Sequence, residues 1–114
     1  METYKLHVAG LERDLPICPL NDNLSIAGFV MFGDVEMTIR SAELLKRVGD
    51  FDLLITAESK GIPLAYEMSR QSGKKYILAR KSIKLYMHDP VSVSVKSITT
   101  AQVQTLYLDS TDME

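Results

Sequence analysis

The chain has no tryptophan, one cysteine, two histidines and no apolar run of membrane-spanning length, and each shortage removes a class of function. Cys18 stands alone, so no internal disulfide can form, and nothing in the chain asks for an oxidising compartment. A cytoplasmic protein is expected. With no histidine near it in sequence, this small thiol reads as packing rather than as a nucleophile. His7 and His88 have neither metal-ligand spacing nor cysteine partners, so no structural metal site is expected. Crossing a bilayer takes roughly 18 to 20 apolar residues, which the chain does not offer. Its first residues, Met1 to Leu6, include Glu2 and lack the basic start and apolar core of a signal peptide. A formal net charge of -2 provides no bulk positive field for nucleic acid or anionic lipid. A soluble, unprocessed protein that binds neither is the expectation.

What is present is an ordinary globular mixture: 114 residues, 46% hydrophobic and 25% charged, the size of one domain. Tyr4 to Val8 alternates weakly and ends at Gly10, while Pro16 and Pro19 make Leu11 to Asn23 read as irregular. Ile26 to Phe32 is apolar around Gly28 and suits a short strand or an extended lining segment. Asp34 is placed to cap a helix. From Val35 to Val48 the apolar residues Val35, Ile39, Ala42, Leu45 and Val48 recur three and four apart, and Gly49 can stop the helix. Phe51 to Thr56 is too short for a helix and suits a strand covered on both faces.

A second helix is predicted from Pro63 to Ser72, with Leu64, Ala65 and Met68 toward a core and Gly73 as its stop. Tyr76 to Ala79 then reads as another short strand. Strand, helix, strand with short connections forces a parallel pair, so the fold class is α/β. Lys81 to Pro90 reads as irregular. Val91 to Lys96 alternates with the period of a half-buried strand, and Val103 to Leu108 answers it as an antiparallel hairpin turned around Thr99 to Ala101.

Chemistry is expected where Ala57-Glu58-Ser59-Lys60-Gly61 joins the end of a strand to the start of a helix. The first helical N–H groups lack internal acceptors, the dipole is positive there, and Gly61 and Lys60 add close approach and charge, all of which suit an anion. Glu58 would repel that anion unless it caps backbone N–H groups or pairs with a cation. On the residues alone a plain βα turn is the preferred reading, since short turns of this kind containing glycine are common. Arg70, Lys74, Lys75, Arg80, Lys81 and Lys84 concentrate six of 13 basic residues between positions 70 and 84. The first three read as a solvated helix end. Arg80 and Lys81 follow a strand to the same expected sheet edge as the loop, where a polyphosphate could meet both.

The run Phe51-Asp52-Leu53-Leu54-Ile55-Thr56-Ala57-Glu58-Ser59-Lys60-Gly61-Ile62-Pro63-Leu64-Ala65, followed by Ile77-Leu78-Ala79-Arg80-Lys81, closely resembles the type I purine phosphoribosyltransferases. The adenine and xanthine enzymes and the bacterial purine repressors share this pattern. The resemblance implies a phosphoribosyltransferase-like parallel sheet with flanking helices and an antiparallel hairpin. It assigns pyrophosphate binding to Ala57, Glu58, Ser59, Lys60 and Gly61, and a covering loop to Arg80 and Lys81, with Lys84 beside them. Ile26 to Asp34 looks like the family's hood segment, which makes Phe29, Met31, Phe32 and Gly33 base-binding candidates. The adenine enzymes usually carry Arg where Gly33 stands. Residues 1–34 thus form the expected hood, and 35–114 the first half of the catalytic core.

The implied reaction joins a purine, adenine first, to phosphoribosyl pyrophosphate with release of pyrophosphate, as in purine salvage. Magnesium accompanies the substrate, a homodimer is expected, and no side chain is assigned as a catalytic acid, base or nucleophile. A phosphoribosyl pyrophosphate sensor without turnover is the alternative the repressor resemblance permits. One family signature is missing: an apolar strand followed by two adjacent acids and a Thr-Gly turn. Leu106-Tyr107-Leu108-Asp109-Ser110-Thr111-Asp112 imitates it, but its acids are not adjacent and no Gly follows. The expectation is therefore a fold incomplete at its C-terminus and 114 residues that lack full activity alone.

Overall fold

Turn residues set the first part of the chain. Ala9 and Gly10 both take positive φ, 52° and 78°, which is the two-residue geometry that lets strands twist into a hairpin. They join β1 (Thr3–Val8) to β2 (Leu11–Asn21), and an Asn21 side chain accepting from the Asn23 N–H (2.8 Å) turns the chain into β3 (Leu24–Ala27). The computed structural model describes residues 2–96 and 103–113. In it, Leu11 to Asn21 is a continuous strand, not the irregular stretch that two prolines suggested. The reason lies in its pairing. β2 gives its first part, to Pro16, to β1 and its second part, from Ile17, to β3. The Pro16 carbonyl points to β3, where it accepts from Gly28 (2.8 Å), so its missing N–H costs the β1 ladder nothing.

Helix α1 (Val35–Leu45) starts where Asp34 accepts from the Met37 N–H (3.2 Å), the cap read from sequence, and ends in a 3₁₀ turn, Lys46–Val48. Its buried face differs from the expected one. Met37, Thr38, Ser41 and Ala42 are buried, while Val35 and Val48 are 67% and 75% exposed. Thr38 donates to the Asp34 carbonyl (2.9 Å) and Ser41 contacts the Met37 sulfur (3.5 Å), so these small hydroxyls are satisfied within the helix. They let α1 lie against α2 (Ile62–Ser72), and the Val35–Ile39 stripe is left to line a cleft. Helix α2 follows the sequence reading, with Pro63 in its first turn and Gly73 as a left-handed stop at φ 76°.

Strands β4 (Leu54–Ala57) and β5 (Tyr76–Ala79) pair in parallel, Leu54 opposite Tyr76 and Ala57 opposite Ala79. The parallel sheet is thus small, two strands crossed by α2. The strand reading of Phe51 to Leu53 is not met, and the expected double cover of β4 is not either: Ile55 is 59% exposed. Helix α2 covers one face only. On the other, Ile55, Ala79, Val91, Val93, Leu106 and Leu108 line an apolar groove of about 320 Å³. Its far wall is the hairpin of β6 (Pro90–Lys96) and β7 (Val103–Asp109), antiparallel from Pro90–Asp109 to Lys96–Val103. The turn read at Thr99 to Ala101 lies outside the described residues. β6 is exposed along its whole length rather than half-buried. β7 joins the parallel pair through one reciprocal bridge, Arg80 N–H to Tyr107 O (2.8 Å) and Tyr107 N–H to Arg80 O (2.7 Å). No helix among the described residues is long and apolar enough to cross a membrane.

Candidate functional site

The loop after β4 is built tightly onto the parallel pair. Glu58 continues the ladder by donating its N–H to Ala79 O (3.0 Å), the Glu58–Ser59 peptide bond is cis, and Ile62 N–H reaches Ser59 O (3.2 Å). Gly61 precedes α2 as its N-cap and offers no side-chain cap, while its carbonyl accepts from the Ala65 N–H (3.0 Å). A Cβ at Gly61 would overlap Thr56 Oγ1, so this glycine serves close approach of loop to strand.

Glu58 resolves the conflict seen in sequence in both of the ways available to it. Its Oε1 accepts from Arg80 Nε (2.6 Å) and from the Lys81 N–H (3.0 Å). The Lys81 amide and then the Arg80 guanidinium hold the carboxyl below its usual range, so it is ionised at neutral pH and unsuited to act as a base. Arg80 also donates to the Tyr86 hydroxyl (2.8 Å). Lys84 adds its charge near Glu58, and Lys81 is exposed at the same edge. The structure thus brings Glu58, Arg80, Lys81 and Lys84 together, joined through the 57–61 loop to a second feature.

That feature is a cleft of about 500 Å³ between the start of α1, the start of α2 and the segment before α1. Met31, Phe32 and Gly33 form one side, Val35, Thr38 and Ile39 another, and Ile62, Pro63 and Tyr66 a third, with Ser59 reaching in from the loop. Phe29, half-exposed, does not line it, and neither do Lys60, Gly61 or the basic residues of positions 80–84. Two acidic residues do. Asp34 is gripped by Arg13 from β2 (Nε–Oδ2 2.7 Å, Nη2–Oδ1 3.1 Å), which lowers its pKa, and the same guanidinium reaches Glu36 (3.3 Å). Glu67 is buried and accepts from Arg70 (2.8 and 2.6 Å) and Gln71 (2.7 Å), partners that pull its pKa to about 2.

Sequence reading missed Arg13, Tyr66, Glu67 and Tyr86; Arg70, read as a solvated charge, is 60% exposed and in addition pairs with Glu67. A signal for α2 existed: Ile62, Pro63, Tyr66 and Glu67 share one helical face, and Arg70 lies three residues beyond Glu67. Arg13 left none, because its partner is 21 residues away. Among the described residues no group of three or more His, Cys, Asp or Glu side chains could hold a metal ion.

No protein-family profile matches the chain, and no curated protein does. Among solved structures it resembles an adenine phosphoribosyltransferase from Thermoanaerobacter pseudethanolicus, with a TM-score of 0.64 and 17% identity. The match covers 82% of this chain and 56% of the other, so the chain spans little more than half the length of that enzyme. At such identity the likeness is one of architecture: the chain has a mixed α/β, phosphoribosyltransferase-like fold.

Proposed function

We propose that this chain carries the base- and pyrophosphate-binding half of a purine phosphoribosyltransferase, with adenine as the base. One observation carries the reading: Ser59 of the 57–61 loop and Met31, Phe32 and Gly33, assigned to different parts of one substrate, line the same cleft of about 500 Å³. In the reaction a purine ring nitrogen attacks C1 of the phosphoribose. The bond from C1 to the pyrophosphate oxygen breaks, pyrophosphate leaves with that electron pair, and the proton given up by the ring nitrogen passes to the departing pyrophosphate.

Such a step needs stabilised leaving-group charge and a dry site more than it needs a strong nucleophile. The amides of Ser59 to Gly61, together with Lys60, Arg80, Lys81 and Lys84, supply the first. Val35, Ile39, Ile62 and Pro63 supply apolar walls for the second. Glu58 sets the position of Arg80 and of the Lys81 backbone. Among the described residues the acidic side chains form no metal-binding group of three, and magnesium is proposed to arrive on the phosphate oxygens of the substrate, with no step assigned to it. A homodimer with a hood of residues 1–34 completes the proposal.

Calorimetric titration of the chain with magnesium phosphoribosyl pyrophosphate, alone and with adenine, tests this. Binding that weakens about tenfold in Lys60→Ala is expected, from loss of one charge-assisted contact. A folded chain that binds neither compound would end the proposal.

A further inference from the structure

The cleft is electrically lopsided. Among its lining residues are two carboxylates and no Lys, Arg or His. The cations that neutralise those carboxylates, Arg13 and Arg70, do not line it, so the acidic member of each ion pair is the one at the cleft. Asp34 is occupied with capping α1. Glu67 has no such duty, and it is the more deeply buried of the two.

A carboxylate oxygen has two acceptor positions. Glu67 Oε2 receives both Arg70 Nη2 and Gln71 Nε2, whereas Oε1 receives only Arg70 Nε. One acceptor position remains on Oε1 among the described contacts. The carboxylate is also held in place. Gln71 donates to Glu67 and to Ile39 O (3.3 Å), and its own Oε1 is buried without a partner. Flipping that amide would set an oxygen against two acceptors, so Gln71 is fixed in its present sense.

Position along α2 completes the geometry. Ile62 and Pro63 stand beside Ser59 at the anion-binding end, and Glu67 lies five residues after Ile62, about 7.5 Å along the axis at 1.5 Å per residue. That separation is comparable to the long dimension of a purine. A base whose glycosidic nitrogen faces the 57–61 loop would carry its far edge to Glu67.

We infer that Glu67 is the specificity-determining residue of the cleft, accepting a hydrogen bond from an amino group on the far edge of a neutral purine and disfavouring bases that present a carbonyl oxygen or a negative charge there. The inference rests on the base-site reading above, and adds to it a residue from α2 outside the hood segment. Discrimination of this kind is strong, because a buried acceptor facing a carbonyl loses its donor and meets a second acceptor.

The test titrates the whole chain with adenine, hypoxanthine and xanthine in the wild type, in Glu67→Gln and in Arg70→Gln, with circular dichroism to confirm folding. Adenine should bind at least about tenfold more tightly than hypoxanthine, with xanthine weakest. Glu67→Gln should narrow the adenine-to-hypoxanthine ratio to about threefold or less. Arg70→Gln removes a counter-charge from an exposed position outside the cleft, so it should fold and widen the ratio. Should Glu67→Gln not fold, Arg70→Gln decides alone. Purines bound with an unchanged ratio, or a wild-type preference for the oxo bases, would overturn the role of Glu67 and leave the base site standing. Absence of any purine binding to the folded chain would remove both.

Discussion

The helix side and the hairpin side of this molecule are closed by different forces. Among the described residues every buried apolar one, Leu15, Met31, Met37, Ala42, Ala65, Met68 and Ile77, lies before β6, and the one buried residue of the hairpin strands is Asp109, 4% exposed. Its oxygens accept from the His88 N–H (2.8 Å), the Asp89 N–H (3.1 Å), and the Thr111 N–H (3.1 Å) and hydroxyl (2.8 Å). A carboxylate thus pins the chain on either side of the hairpin where the helix layer uses dispersion and the hydrophobic effect. The lesson is that similar Val-rich and Leu-rich strands are fixed by what lies over them, not by their own alternation.

Met37→Ala should produce the largest loss, because Met37 on α1 is fully buried. A cost of about 2–5 kcal/mol is expected, a fall in Tm of about 10 °C or more, measured by thermal unfolding. A loss confined to a degree or two would mean that the apolar layer is not the stable half. Next comes Gly61→Ala, expected to destabilise by about 1–3 kcal/mol through overlap with Thr56 Oγ1. Thr56→Ala in the same chain should recover most of it, and a cycle with no coupling would show that the loop is not packed on β4 as described.

Asp109→Asn should act locally. Hydrogen exchange at His88, Asp89 and Thr111 is expected to speed up by about tenfold or more while amides of α1 and α2 keep their protection. Its pH dependence has a definite sign. The backbone N–H of His88 and the Thr111 hydroxyl lower the Asp109 pKa from 3.8 to about 2. Stability from a depressed carboxylate is complete above the unfolded value and declines as pH falls from about 4 toward 2. Wild-type hairpin protection should therefore fade across that window, and Asp109→Asn should flatten the profile. Smallest of all, Val93→Thr on the exposed β6 should change stability by about 0.5 kcal/mol or less. A cost comparable to Met37→Ala would reveal a covering partner for the groove and dissolve the contrast.

What sequence made legible follows the same division. Local chemistry was readable: Asp34 and Gly73 as caps, Pro63 in the first turn of α2, the β4–α2–β5 order and the loop between them. Each of those depends on neighbours within a few residues. Long-range geometry was not. Pro16 fits a strand because β2 changes partner there, and Val35 and Ile39 carry a helical period yet line a cleft. In the site, Glu58 was readable as a residue in need of a cation, and Arg80 as a cation at the same edge. Arg13 reaching Asp34 across 21 residues was invisible, since neither flank of either residue encodes the other.

Arg80 is a shared member of three pieces: its backbone bridges to β7, and its side chain joins the 57–61 loop to Tyr86. Under the proposed function Glu58 would act as a tethered competitor for the Arg80 guanidinium, present at high local concentration. A chloride or a lone phosphate, making one contact, would not displace it, whereas a chelating anion that also reached Lys60 and Lys81 would. On that reading, selectivity for polyvalent ligands follows from a carboxylate that bears the wrong charge for the site.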